Sequence, residues 1–337
     1  MISSDGVRVR DLGMRRNTQL SALPKLRNLI RRGGYDVVHT HLYRACVYGR
    51  VAARMAGTPV VVATEHSIGE THLERRRMTS GVRALYLGTD RCSDATIAVS
   101  DTVAGRLRGW GVPDRKITVI PNGVDFDRVA FDERARAGVR AEFGIREDAF
   151  VVGVLGRLDP NKRFGLVIDA VAPLLGSGVK LLVAGDGPER AELRELARWH
   201  GVQEHVVFAG SRNDVAGVLS ALDLFVAPSA QETFGLSVLE ALASGLPALY
   251  TTCPALDGVP TERAQRISAD PDELRGEVLA ELATRGGRGE VPEIRRLYGI
   301  EAVTGRIDSL YEGLWAQKSA VDVRGPNRTR AVEGEGR

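Results

Sequence analysis

The stretch VKLLVAGDGPERAELRELARWHGVQEHVVFAG occupies residues 179–210. Its first residues form a short apolar run without polar alternation, which predicts a strand buried on both faces. GDG follows as a tight turn. Proline then opens, and Gly201 closes, a stretch with helical periodicity. HVVFAG (205–210) is a second buried strand. Strand, helix and strand in this order predict a parallel sheet covered by helices.

The same alternation extends in both directions. YDVVHTH (35–41), PVVVATEH (59–66), ATIAVS (95–100) and KITVIPNG (116–123) read as strands of a first block. FVVGVLGRL (150–158), LDLFVAPS (222–229) and LPALYTT (246–252) belong with the opening stretch in a second. SALPKLRNLIRRG (21–33) reads as a helix. The fold class is therefore α/β, with two Rossmann-like doubly wound domains facing a cleft, joined near 124–148. Such sheets bind ligands at the carboxyl ends of their strands. The chain opens MISSDGVRVRDLG, a short strand at most, so the first domain reads as lacking its amino-terminal elements. The expected bounds are 1–135 for the first domain and 136–300 for the second. A last helix is expected at 301–317 and a disordered tail at 318–337.

Composition excludes several classes. The chain has 337 residues, 43% of them hydrophobic, enough for two buried cores. Aromatics are 5%, too few for base-stacking platforms, so no nucleic-acid partner is expected. Three scattered cysteines form no C-x-x-C pair, against a disulfide scaffold or zinc site. No apolar run of about 18 residues predicts a membrane span. These features predict a cytoplasmic protein. Net charge is +3, but residues 1–140 carry +10 and the remainder −7. The basic half reads two ways: a surface for anionic partners, such as the inner face of a membrane or a phosphorylated acceptor, or Arg-rich solvated faces.

Chemistry concentrates at strand ends. In QETFGLSVLEALASGLPAL (231–249), Gly235 lets the backbone turn tightly, and the following helix start offers free N–H groups to a diphosphate. Glu232 precedes the helix and Glu240 lies inside it. A carboxylate has two acceptor oxygens, which suits a vicinal diol such as a ribose. GRLDPNKR (156–163) ends a strand and carries Arg157 and Lys162, cations suited to a diphosphate. Gly185, in a lone G-x-G without the third glycine of a dinucleotide fingerprint, reads as a turn lining the cleft. His66 ends a first-domain strand, placed to bond a sugar hydroxyl. Asp125 and Asp127 form a D-x-D in the linker, where no metal is expected. His39 and His41 share a strand face without a third ligand, so no metal site is expected.

Taken together, GRLDPNKR, AGDGPER, FAGSRNDV and QETFGLSVLEALASGLP, in this order and spacing, resemble the GT-B retaining glycosyltransferases of family 4, the glycosyl transferases group 1. DVVHTHLYRACVYGRVAARMAGTPVVVATEHS and IAVSDTVAGRL, with VIPNGVD, resemble the family's first domain. The resemblance implies metal-independent sugar transfer from a nucleotide-diphosphate-sugar donor, with retention and no cofactor. The acceptor could be a glycan, a lipid or a small molecule. It further implies Arg157 and Lys162 as diphosphate binders, Glu240 as ribose acceptor and Glu232 as the acid touching the donor sugar. The amides of Phe234, Gly235 and Leu236 would cradle phosphate, and His66 would lie near the transferred sugar. Ser211 and Arg212 correspond in place to the segment contacting the base. The chain departs from the family in lacking an opening Gly-Gly loop, and in reading YTTCPALDGVP where the family has a Gly-rich loop. Two other readings stay open: a non-catalytic nucleotide-sugar binder, and a GT-B phosphorylase or epimerase.

Overall fold

The computed structural model describes residues 8–14, 19–69, 72–73 and 76–323. The first sheet holds β1 (Val37–His41), β2 (Val60–Glu65), β5 (Ala95–Ala98) and β6 (Ile117–Val119), parallel and in that spatial order. Between β2 and β5 a small antiparallel hairpin, β3 (His72–Leu73) with β4 (Arg76–Arg77), stands apart. The sheet's helices are α1 (Ala22–Gly33), α2 (Tyr43–Ala56), α3 (Ser80–Asp90) and α4 (Asp101–Trp110). All six residues of β2 are buried, as a strand covered on both faces requires. Residues 8–14 carry no strand, and 1–7 lie outside the described residues.

The second sheet has six parallel strands. They are β7 (Phe150–Leu155), β8 (Val179–Ala184), β9 (Val206–Gly210), β10 (Leu224–Ala227), β11 (Ala248–Tyr250) and β12 (Ala264–Arg266). Their spatial order is β12-β11-β10-β7-β8-β9. The chain thus winds outward from β7 through β8 and β9, returns, and winds the other way from β10. The reversal falls between β7 and β10, where a crevice opens at the carboxyl ends of an α/β sheet. Helices α5 (Glu133–Glu142), α6 (Phe164–Val171), α7 (Arg190–Trp199), α8 (Val215–Ala221), α9 (Leu236–Ala243), α10 (Pro271–Thr284) and α11 (Pro292–Tyr298) cover this sheet.

One apolar cluster joins the domains. It runs from Ala63, Val103 and Leu107 through Val124 and Tyr298 to Phe234 and Leu239. The last helix, α12 (Ile300–Val323), leaves the second domain and lies on the first. Its Val303 enters the cluster of Val60, Val62, Ile97 and Ile120, with Ile307, Leu310, Tyr311 and Leu314 packed beside it. This helix passes the expected end at 317: residues 318–323 are helical rather than a disordered tail. Lys318 explains the extension, since its Nζ lies 2.7 Å from Asp94 Oδ1. Residues 324–337 of the expected tail lie outside the described residues. Among the described residues no helix is long and apolar enough to cross a membrane.

Candidate functional site at the strand reversal

Three strand ends form a glycine floor. Gly156, Gly185 and Gly210 follow or close β7, β8 and β9, with φ of 149°, 140° and 70°. The Gly156 N–H donates to Ala184 O at 3.0 Å, and the Gly185 N–H to Gly210 O at 2.8 Å. A Cβ on Gly185 would lie 1.8 Å from Gly156 O, so the strand ends meet this closely only because the side chain is absent. Gly185 therefore shapes the floor of the crevice.

Two loops rise from the reversal point, one after β7 and one after β10. The first carries Arg157, Asn161 and Lys162, the second Gln231 through Gly235. Lys162 Nζ donates to Glu232 Oε1 at 2.5 Å, so the cation and the acid read separately from the sequence form one ion pair. Both are largely buried, with side-chain exposures of 21% and 18%. Arg157 is freer: its Nε is 3.5 Å from Asp159 Oδ2, and almost half the side chain is exposed. Asn161, which the sequence reading missed, bonds the loops together. Its Nδ2 donates to Gln231 O at 2.8 Å, its Oδ1 accepts from the Gln231 N–H at 3.1 Å, and its carbonyl accepts from the Ala230 N–H at 2.8 Å.

Behind the second loop, Gly235 has φ 98° and begins α9. A Cβ there would lie 2.4 Å from Cys253 Sγ. The loop after β11, whose sequence departs from the family pattern, supplies this wall. The Ala255 N–H donates to Phe234 O at 2.9 Å, and the Cys253 thiol to the same carbonyl at 3.5 Å. Burial pushes the Cys253 thiol up to about 12, so it stays protonated and serves as packing. Phe234 is buried and stacks edge-on against Tyr298, while Leu236 is exposed. Glu240 is half-buried on α9. Burial holds its carboxyl above the usual range, with Arg128 acting in the opposite direction.

Arg212 follows β9 as expected, but its guanidinium is already engaged. It donates to both oxygens of Glu142 at 2.5 and 2.9 Å, and to both oxygens of Asp214 at 2.8 Å. These carboxylates raise its pKa further above an already basic value. Ser211 beside it is exposed. In the linker Asp125 accepts from the Arg128 N–H at 3.0 Å and Asp127 pairs with Arg295 at 2.7 Å, so the D-x-D does not converge on one point.

In the first domain, His66 follows β2. Its Nε2 lies 3.1 Å from His41 Nδ1, and Asn122 bonds its side chain. His39 sits between Tyr311 Oη, 2.5 Å from Nδ1, and Thr64 Oγ1, 2.6 Å from Nε2. Burial and neighbouring imidazoles bring His39 down to about 3 and His66 to about 4. All three histidines are therefore neutral at pH 7; burial also lowers His41. Thr233, in the loop after β10, is reached from this domain by the Ser100 hydroxyl at 2.6 Å.

The second half of the chain, residues 149–283, matches the family described as glycosyl transferases group 1; residues 5–128 match glycosyltransferase family 4. The chain thus carries a glycosyltransferase family 4 domain followed by a glycosyl transferases group 1 domain. It is 29% identical over 240 residues to the UDP-Gal:alpha-D-GlcNAc-diphosphoundecaprenol alpha-1,3-galactosyltransferase of Escherichia coli, covering 69% of this chain and 62% of that protein. A D-inositol 3-phosphate glycosyltransferase of Actinosynnema mirum is 32% identical over 252 residues, covering 68% and 58%. The chain thus spans less than two thirds of the length of these group 1 relatives. Anabaena Alr3699/HepE, solved in complex with UDP-glucose, superposes with a TM-score of 0.74 at 21% identity, covering 87% of this chain and 82% of that one. At this identity the likeness is one of fold, the GT-B arrangement of two Rossmann-like domains.

Proposed function

We propose that this chain transfers a sugar from a nucleotide-diphosphate donor to an acceptor hydroxyl, with retention of anomeric configuration and without a metal ion. The observation that carries this reading is the Lys162–Glu232 pair at the reversal between β7 and β10, in front of the Gly235 turn that opens α9. As the sugar–phosphate bond breaks, negative charge gathers on the diphosphate. Arg157, Lys162 and the amides of Phe234, Gly235 and Leu236 face that charge with fixed positive poles. The protein's own cations supply what a divalent ion would otherwise supply. When phosphate takes Lys162, Glu232 is released toward the hydroxyls of the donor sugar. Glu240 accepts from the ribose, Gly185 lines the floor, and the backbone at Ser211 and Arg212 borders the base. His66 approaches the transferred sugar from the first domain. The acceptor attacks from the face the phosphate leaves, and the leaving oxygen takes its proton. This path needs no covalent nucleophile.

UDP-sugars are the first donors to try, because the HepE complexes contain UDP and UDP-glucose. The acceptor is a glycan, lipid or small molecule; the basic first domain suits one presented at an anionic membrane on its cytoplasmic side. The test is a thermal-shift screen with UDP-, GDP-, ADP- and TDP-sugars, followed by transfer assays with EDTA and NMR of the product anomer. A stabilising donor, EDTA-resistant transfer and a retained anomer are expected. Failure of every donor to stabilise the chain would overturn donor binding. Loss of transfer in EDTA with recovery on adding a divalent ion would overturn metal independence. Donor binding without turnover would favour a non-catalytic binder.

A further inference from the structure

Each residue of the 231–235 loop has a support of its own. Gln231 is paired with Asn161, Glu232 with Lys162, Phe234 with Ala255, and Gly235 packs against Cys253. These four supports belong to the second domain. Thr233 is held from across the cleft: Ser100 Oγ donates to its carbonyl at 2.6 Å. Ser100 lies in the first domain as the N-cap of α4, and its Oγ simultaneously accepts from the Val103 N–H at 3.2 Å. The hydroxyl is buried, so both bonds are shielded from water. One oxygen thus closes the start of a first-domain helix and fastens the middle of a second-domain loop.

We propose that Ser100 is a positioning residue that couples closure of the cleft to the geometry of the donor loop. The inference rests on the proposed function for its catalytic meaning, but not for its structural content. Glu232 and the amides of Phe234 and Gly235 flank the tethered carbonyl on either side. When the domains part, Thr233 loses its outer anchor and the residues around it lose one of their fixed points. When they meet, the anchor sets the loop. The enzyme would then complete its charge-stabilising cradle only with the first domain, and hence the acceptor, in place. This arrangement limits hydrolysis of the donor in the open state.

The two bonds of Ser100 can be separated by substitution. Ser100→Asp keeps a strong helix cap but has no proton to donate to Thr233 O. Ser100→Thr keeps both bonds, and Ser100→Ala removes both. Hydrogen exchange of Gln231 and Ala255, whose N–H groups bond Asn161 Oδ1 and the Phe234 carbonyl, is read first on the ligand-free full chain, where no activity is needed. Ser100→Asp is expected to exchange about tenfold faster at these two amides, the equivalent of one hydrogen bond, with α4 still protected. Ser100→Thr is expected to restore wild-type protection. Steady-state transfer and UDP titration follow. Ser100→Asp should lower kcat about tenfold, and Ser100→Thr should restore it. Unchanged exchange of both amides in Ser100→Asp would overturn the tether itself. Faster exchange with unchanged kcat would overturn its role in transfer. If wild type neither binds UDP nor turns over any sugar nucleotide, the proposed function fails, and the exchange result still decides the tether.

Discussion

Lys162 gains its role from its partner. In the free molecule it neutralises Glu232, two residues before the Phe234 carbonyl, so neither of these partly buried charges is left alone. Lys162→Ala should lower kcat/KM by roughly 10- to 150-fold, the loss of one charged hydrogen-bonding contact of about 1.5–3 kcal/mol. Its fold should persist, because each side chain still reaches solvent. Wild-type kcat/KM in this variant would remove Lys162 from the proposed diphosphate site. The histidines of the first domain make a second prediction, on stability. Folded, His39 titrates at about 3 and His66 at about 4; unfolded, both return toward 6.5. Between these values the unfolded chain binds more protons. Their contribution is therefore complete above pH 6.5 and is lost as pH falls toward 4 and then 3. Each should cost about 1.4 kcal/mol of stability per pH unit within that window. Urea midpoints of wild type and a His39→Gln/His66→Gln double variant, compared at descending pH, read this directly. Parallel curves for the two proteins would show that neither histidine resists protonation.

At the scale of elements, the turn into α9 depends on a missing side chain. Gly235→Ala forces a residue with a Cβ to φ 98° and drives that Cβ against Cys253 Sγ. The expected cost is about 1–3 kcal/mol from the backbone alone, with the clash added. Truncating Cys253 to Ala removes the 2.4 Å contact but leaves Cys253 Cβ at 3.1 Å, so the double variant should recover only part of the loss. Complete recovery, measured by denaturant unfolding, would mean that φ carries no strain. These elements were unevenly legible in the sequence. Buried parallel strands are continuous apolar runs, and nine such runs coincide with β1, β2 and β5 through β11. The edge strand β12, with sequence AQR and two exposed residues, has no such run; only pairing to β11 makes it a strand. The two-residue strands of the hairpin are shorter than any period. For the site, Lys162 and Glu232 could be named from motifs, yet their contact could not. The winding order brings together residues 70 positions apart. Asn161 and Ser100 carried no signal, because a turn asparagine and a helix-capping serine are common whether or not they hold a second loop.

At the scale of the whole molecule, the domains are joined by a crossing segment and by a helix that returns. After Val124, whose N–H donates to Tyr298 O and whose carbonyl accepts from the Ile300 N–H, the chain enters the second domain; α12 starts at the same point and runs back. Its inward residues Val303, Ile307, Leu310, Tyr311 and Leu314 recur at helical spacing and cover Val60, Val62, Ile97 and Ile120. One face of the first sheet thus depends on a helix that follows the second domain in sequence. Leu310→Asp should place a carboxylate in this apolar seam and lower stability by about 2–4 kcal/mol. Ala316→Asp, on the exposed side of the same helix, should change it by less than about 0.5 kcal/mol. The loss should fall on the first domain, since the second sheet and its glycine floor make no use of the seam. Calorimetry of Leu310→Asp is then expected to resolve two transitions, the earlier one unaffected by UDP and the later one raised by it, because only a state that binds ligand is stabilised by it. A single transition, raised as a whole by UDP and lying where that of Ala316→Asp lies, would mean that α12 is a passenger and that the crossing segment and the shared apolar cluster fasten the two domains without it.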